Sequence, residues 1–272
     1  MSDFDRNAAT YDRATGRAPS AVIDQGLRSY MLQVYNYMML GLAITGFAAL
    51  GIFMLSTTND PALAGKVARA GATVPAQIRG GVYLTPFGVT LFMTYLKWVI
   101  ILSPLALVFA ISFLIERMRP ATAQMLFWIF SALMGVSLSS IFMVYTQTSI
   151  TRVFFITAAT FGALSLWGYT TRRDISGWGS FLFMGLIGVV LGSLVNLIWP
   201  NGMLSFVVSI VGVLVFAGLT AYDTQRLKNE YVYGQLEGDS QDRAAVMGAL
   251  SLYLNFINLF TLLMQLLGQR ED

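Results

Sequence analysis

Charged residues fall along this chain in clusters, separated by long stretches that contain none. Residues 29–59, 98–115, 120–151, 175–222 and 244–269 carry no Asp, Glu, Lys or Arg. A helix needs about 20 mainly apolar residues to cross the hydrocarbon of a bilayer. Lipid admits only backbone that is satisfied within helices or a closed barrel, and these stretches are too long and continuous for barrel strands. They predict membrane-spanning helices at Tyr30–Leu55, Trp98–Ile115, Met125–Tyr145, Val153–Tyr169, Phe181–Trp199, Ser205–Asp223 and Val246–Leu267. The 175–222 stretch holds two of them, divided by the turn signal Trp199-Pro200-Asn201-Gly202. The predicted fold is an all-α membrane protein, a bundle of seven transmembrane helices.

Between the apolar runs the chain changes character. Residues 1–29 open with a polar stretch and no apolar core suited to a signal peptide, so they are expected to form a flexible N-terminal tail ahead of a membrane domain at 30–268. Residues 56–97 make a long first connection rich in Gly, Ala and Pro. Its apolar part, 82–93, is expected to lie in the interface, because Pro86 and Gly88 interrupt it. Within the spans, small residues recur every four positions at Ser131/Gly135/Ser139, Ala158/Gly162 and Gly188/Gly192. That spacing is expected to mark close helix–helix packing.

Composition narrows the chemistry. Of the 272 residues 56% are hydrophobic and 11% charged, against about 25% charged in soluble domains. Cysteine and histidine are both absent, which removes thiolate chemistry, the commonest zinc ligand and the usual general base. The lysines, Lys66, Lys97 and Lys228, lie outside the predicted spans, so no helix carries a Schiff-base lysine. An intramembrane serine protease lacks its histidine and an intramembrane aspartyl protease its second acid. No enzyme activity is expected. A transporter would show helices broken near the midplane, and the prolines are read here as lying at ends or in loops. The net charge of +3 suits a membrane surface and not nucleic acid. Eleven of the 17 Lys and Arg fall on the side holding the N-tail and six on the other, which predicts a cytoplasmic N-terminus and an external C-terminus.

Polar residues at helix ends and within spans are the candidate site. Asp223 is read as ending span six, and Arg117, beside Glu116, as ending span two. Asn255 lies nine residues into span seven, about 13 Å along the helix, followed by Asn258. Asn196 is near the far end of span five. Each also has a plain reading: Asp223 marks a helix end, Arg117 anchors a basic loop, and the asparagines, Asn258 above all, hydrogen-bond between helices. The joint reading brings an acid, a guanidinium and an amide together at a cytoplasmic gate.

The stretches Phe154–Ala159, Gly162–Asp174, Ala221-Tyr222-Asp223-Thr224-Gln225 and Leu252-Tyr253-Leu254-Asn255-Phe256-Ile257-Asn258-Leu259-Phe260 resemble the transmembrane Bax inhibitor motif family, in its bacterial YccA-like branch. The resemblance implies a central helix wrapped by the others and a pH-sensitive leak of cations, chiefly calcium, in the inner membrane. It also implies that an acid ending helix six pairs with an acid in helix seven, with an arginine from the end of helix two latched onto the pair. Asp223 and Arg117 match the first and last positions, whereas Asn255 stands where the second acid is expected. Paired carboxylates share a proton and titrate near neutrality, so this chain is expected to carry a retuned sensor. No tightly held cofactor is expected, and Asp223 alone would bind calcium weakly. The alternative is a non-conducting regulatory protein whose partner, besides the lipid bilayer, is a membrane protease or another membrane protein of a stress response.

Overall fold

The computed structural model describes residues 3–69, 72–234 and 236–270, with side chains from residue 25 onward except at 69, 72 and 79. The flexible tail expected over 1–29 lies largely outside the described side chains. Residues 25–29 belong to the first helix, α1 (Asp3–Ser56). Then follow β1 (Thr57–Thr58), β2 (Lys66–Arg69), β3 (Ala72–Pro75), β4 (Gln77–Arg79), β5 (Val82–Leu84), α2 (Pro86–Met93), α3 (Leu96–Leu114), α4 (Pro120–Leu138) and α5 (Ile141–Val144). The chain continues through α6 (Gln147–Thr170), α7 (Trp178–Ile198), α8 (Gly202–Tyr233) and α9 (Gly238–Leu267). Among the described residues seven helical segments are long and apolar enough to cross a membrane, and each contains or overlaps one predicted span.

The helix buried most deeply is α9. It packs on α1, α4, α6 and α8, while α3 packs on α4 and α7 on α8, outside that ring. Two-thirds of the apolar stretch of α9 is buried, against about a tenth for α3 and α7. Aromatic rings fill its contacts. Tyr253 lies edge-on between Phe127 and Phe130, at 5.7 and 5.4 Å, and Phe256 meets Phe154 and Phe161 at 5.8 and 5.6 Å. The Tyr253 hydroxyl is 2.6 Å from Thr45 Oγ1, which itself donates to a carbonyl, that of Ser131 or Gly41. Tyr253 is therefore the donor of that pair, and its polar tip is satisfied inside the bundle.

The small-residue stripes divide. A Cβ on Gly135 would run into the Thr45 carbonyl and the Ala48 methyl, so this glycine sets the α1–α4 approach. Gly162 and Gly188 face open space, and there the packing expectation fails. Gly168 of α6, outside these stripes, makes another close approach, against the Ala221 carbonyl of α8. Pro104 likewise departs from the expectation, since it sits inside α3. The helix continues because the carbonyl of Ile100, which loses its usual amide partner at a proline, accepts the Ser103 hydroxyl at 3.1 Å.

The first connection is folded. β1, β5 and β4 make one antiparallel sheet and β2 and β3 a hairpin. The two are joined through Gly65 N–H to Leu84 O at 2.7 Å and Ala76 N–H to Gly65 O at 2.8 Å. Thr85 caps α2 by accepting from Gly88 N–H at 3.1 Å. At eight residues α2 is about 12 Å long, too short to span.

Candidate functional site

More than five turns of α8 separate its start at Gly202 from its last buried residues, Ala221, Asp223, Thr224, Gln225 and Leu227. The helix does not end at Asp223. It runs ten residues further, to Tyr233, because Leu227 continues the buried face past the first charged residues. Successive side chains turn by about 100°, and each of these reaches a different neighbour. Asp223 points at α9. Thr224 Oγ1 is 3.0 Å from Ser165 Oγ on α6, which is 2.6 Å from the Tyr35 hydroxyl on α1. Gln225 holds the loop between α6 and α7, donating to Arg173 O at 2.8 Å and accepting from Ile175 N–H at 2.9 Å. Lys228 donates to Tyr169 O at 3.0 Å.

Asp223 is 7% exposed. Its Oδ2 accepts from Asn255 Nδ2 at 2.7 Å, a buried bond between α8 and α9. Its Oδ1 is 3.3 Å from Arg226 Nη2, one turn further along α8. The Arg226 side chain, about half exposed, also donates to Ser251 Oγ of α9 at 3.2 Å. Two links therefore cross from α8 to α9 at this end of the bundle, and a guanidinium neutralises the carboxylate between them. Beside them Tyr30 of α1 stacks on Tyr231 of α8 at 5.2 Å between centroids.

Asp223 and Asn255 are thus brought together, and Arg117 is not the third member. Both oxygens of Asp223 are taken up by Asn255 and Arg226, and Arg117 is exposed in the turn Ile115–Arg117, beyond α3 on the outside of the ring. The expected ion pair to Arg117 is replaced by one to Arg226. The Asp-x-x-Arg spacing was present in the sequence. It becomes a signal only if the helix continues past Asp223, since residues three apart then share a face. Glu116 is exposed in the same turn as Arg117. Asn258 does not bridge helices: its Nδ2 donates to Leu254 O at 2.8 Å within α9. Asn196 accepts from Asn201 N–H at 3.0 Å in the turn at the far end of α7, away from Asp223. The Thr224–Ser165–Tyr35 chain and Gln225 had no separable signal, because isolated hydroxyls and amides in apolar runs look alike.

The donors around Asp223 bear on calcium. The ion takes six to eight oxygens, whereas this carboxylate is met by an amide N–H and a guanidinium. Among the described residues no group of three acidic side chains is placed to hold a metal. As arranged, Asp223 does not fit a resident calcium. In the exposed α6–α7 turn, hydrogen bonds from the backbone and hydroxyl of Ser176 hold Asp174 below the usual carboxylate range.

The comparisons with known proteins cover nearly the whole chain. The family model described as inhibitor of apoptosis-promoting Bax1 matches residues 27–272. The chain is 42% identical over 247 residues to the inner membrane protein YbhL of Escherichia coli K12, covering 90% of this chain and 94% of YbhL. It is 42% identical over 260 residues to the protein RP147 of Rickettsia prowazekii, covering 95% and 97% of the two. A membrane protein of Streptococcus pyogenes serotype M1 is 45% identical over 167 residues, 61% of this chain and 72% of its own length.

Proposed function

The chain belongs to the Bax1-inhibitor family of integral membrane proteins, and from that premise we propose that it is a gated cation leak of a bacterial inner membrane, closed at Asp223. The observation that carries this reading is a carboxylate, 7% exposed, bound across to the central helix and neutralised by a half-exposed guanidinium. A buried acid in a membrane bundle is costly and points to an ion or proton path. Calcium is the cargo the family resemblance implies, and here it would be a transient occupant, reaching Asp223 when Arg226 and Asn255 let go. Because Asn255 has no titratable proton, Asp223 has among the described residues no acidic partner with which to share one. The N-terminus is placed in the cytoplasm, which puts Asp223 at the cytoplasmic end and the β-structured first connection outside. The protein is proposed to do no covalent chemistry.

The test is calcium flux into liposomes containing the purified chain. Arg226→Gln frees the carboxylate and should raise the flux, while Asp223→Asn removes the charge that attracts a cation and should hold it below the parent. If the parent gives no more flux than empty liposomes and Arg226→Gln adds none, the leak reading is wrong. The non-conducting regulator of a membrane protease or stress response then takes its place, supported by an Asp223 already satisfied by Asn255.

A further inference from the structure

A groove of about 940 Å³ runs between α1 and α6. The two helices both pack on α9 but do not pack closely on each other. Along α1 the groove extends from Arg28 to Leu50, about 33 Å at helical rise, the thickness of a bilayer's hydrocarbon. Its walls are apolar, with Met31, Met38 and Met39 on one side, and Phe161 and Phe256 on the other two helices. Small residues create the space. Gly46 and Gly162 line it, and a Cβ on either would meet nothing within 4 Å. Ser165 and Tyr35 satisfy each other in the lining, so little polar surface is left for water.

One end of the groove differs. Arg28 lies there, exposed, without an ion pair or hydrogen bond among the described residues. Across from it is Tyr169, whose ring carries the Lys228 ammonium at 5.8 Å. An apolar groove with a guanidinium at one mouth matches a lipid with an anionic head, whose acyl chains cover one leaflet, about half of the hydrocarbon thickness, and would run along the half of the groove nearest Arg28; basic pockets between helices are the usual seat of such heads. A guanidinium suits a phosphate, which it can bind through two parallel hydrogen bonds. We propose that this groove binds one anionic phospholipid, with its phosphate at Arg28 and its acyl chains between α1 and α6. Methionines suit such an occupant, because their flexible thioethers adapt to chains of varied shape.

Native mass spectrometry of the full chain in detergent tests this, with phosphatidylglycerol and phosphatidylcholine of identical acyl chains as probes. The parent should retain one phosphatidylglycerol in preference to phosphatidylcholine. Arg28→Gln should cut that preference about fivefold, the equivalent of about 1 kcal/mol for one basic residue. Gly162→Leu fills the groove and should abolish retention of both lipids while leaving the lipid-free Tm unchanged. Parental preference in both variants would overturn the proposal. So would equal retention of soluble glycerol phosphate, which would mean a headgroup site without the groove. A Gly162→Leu protein with a changed oligomeric state, or with a lowered lipid-free Tm, would also overturn it, since protein would then occupy the space.

Discussion

Replacing Asn255 by Ala deletes the only amide that reaches Asp223 from α9 among the described residues. The bond lost is 2.7 Å long and buried, and a hydrogen bond to a charged group contributes about 1.5–3 kcal/mol. That loss falls on the closed state, because there Oδ2 would be left without a donor in an Asp223 side chain only 10% exposed. In an open state water can reach the carboxylate and replace the amide. The closed-to-open ratio should therefore drop roughly 10- to 150-fold. While the open form is the minor one, the leak rises by the same factor. The assay is the initial rate of calcium influx into liposomes loaded with a fluorescent indicator, per protein, at neutral pH. Asn258→Ala is the control, because that side chain bonds only within α9. A parental rate in Asn255→Ala, or an equal rise in Asn258→Ala, would show that the Asp223–Asn255 bond does not hold the gate.

Restoring an acid with Asn255→Asp puts two carboxylates at contact distance, where they cannot both ionise and must share a proton. Flux in that variant should become pH-dependent near neutrality while the parent stays flat there; superimposed curves would show that position 255 does not set the sensor. Gly135→Val forces α1 from α4 and should cost about 1–3 kcal/mol, seen as a lower Tm, whereas Gly162→Val should leave Tm unchanged because its surroundings are open. Gln225→Ala removes both bonds to the α6–α7 loop and should expose residues 171–177 to protease in inverted membrane vesicles, where the proposed cytoplasmic face is outward. A reporter fused after Asp272 should read external, and a cytoplasmic signal would reverse the proposed orientation.

The seven spans were legible in one dimension because the bilayer imposes a one-dimensional rule. Each helix must keep charge out of about 30 Å of hydrocarbon whatever its neighbours do, so the uncharged runs marked them within a few residues at most of their ends. The lack of His and Cys likewise restricted the chemistry before any contact was known. Asp223 and Asn255 were found as polar points in apolar runs, and their joining across 32 residues agrees with the resemblance that picked them out. What the sequence could not supply depends on how helices lean on one another. Asp223, the first acid, reads in the sequence as the end of span six, but α8 continues because Leu227 still has α9's Gly248 to pack against. That extension puts Arg226 on the Asp223 face and leaves Arg117 outside the ring. Small residues looked alike in the sequence, yet Gly135 closes a helix crossing and Gly162 opens a groove. The difference lies in whether another backbone approaches, and only the tertiary structure determines that.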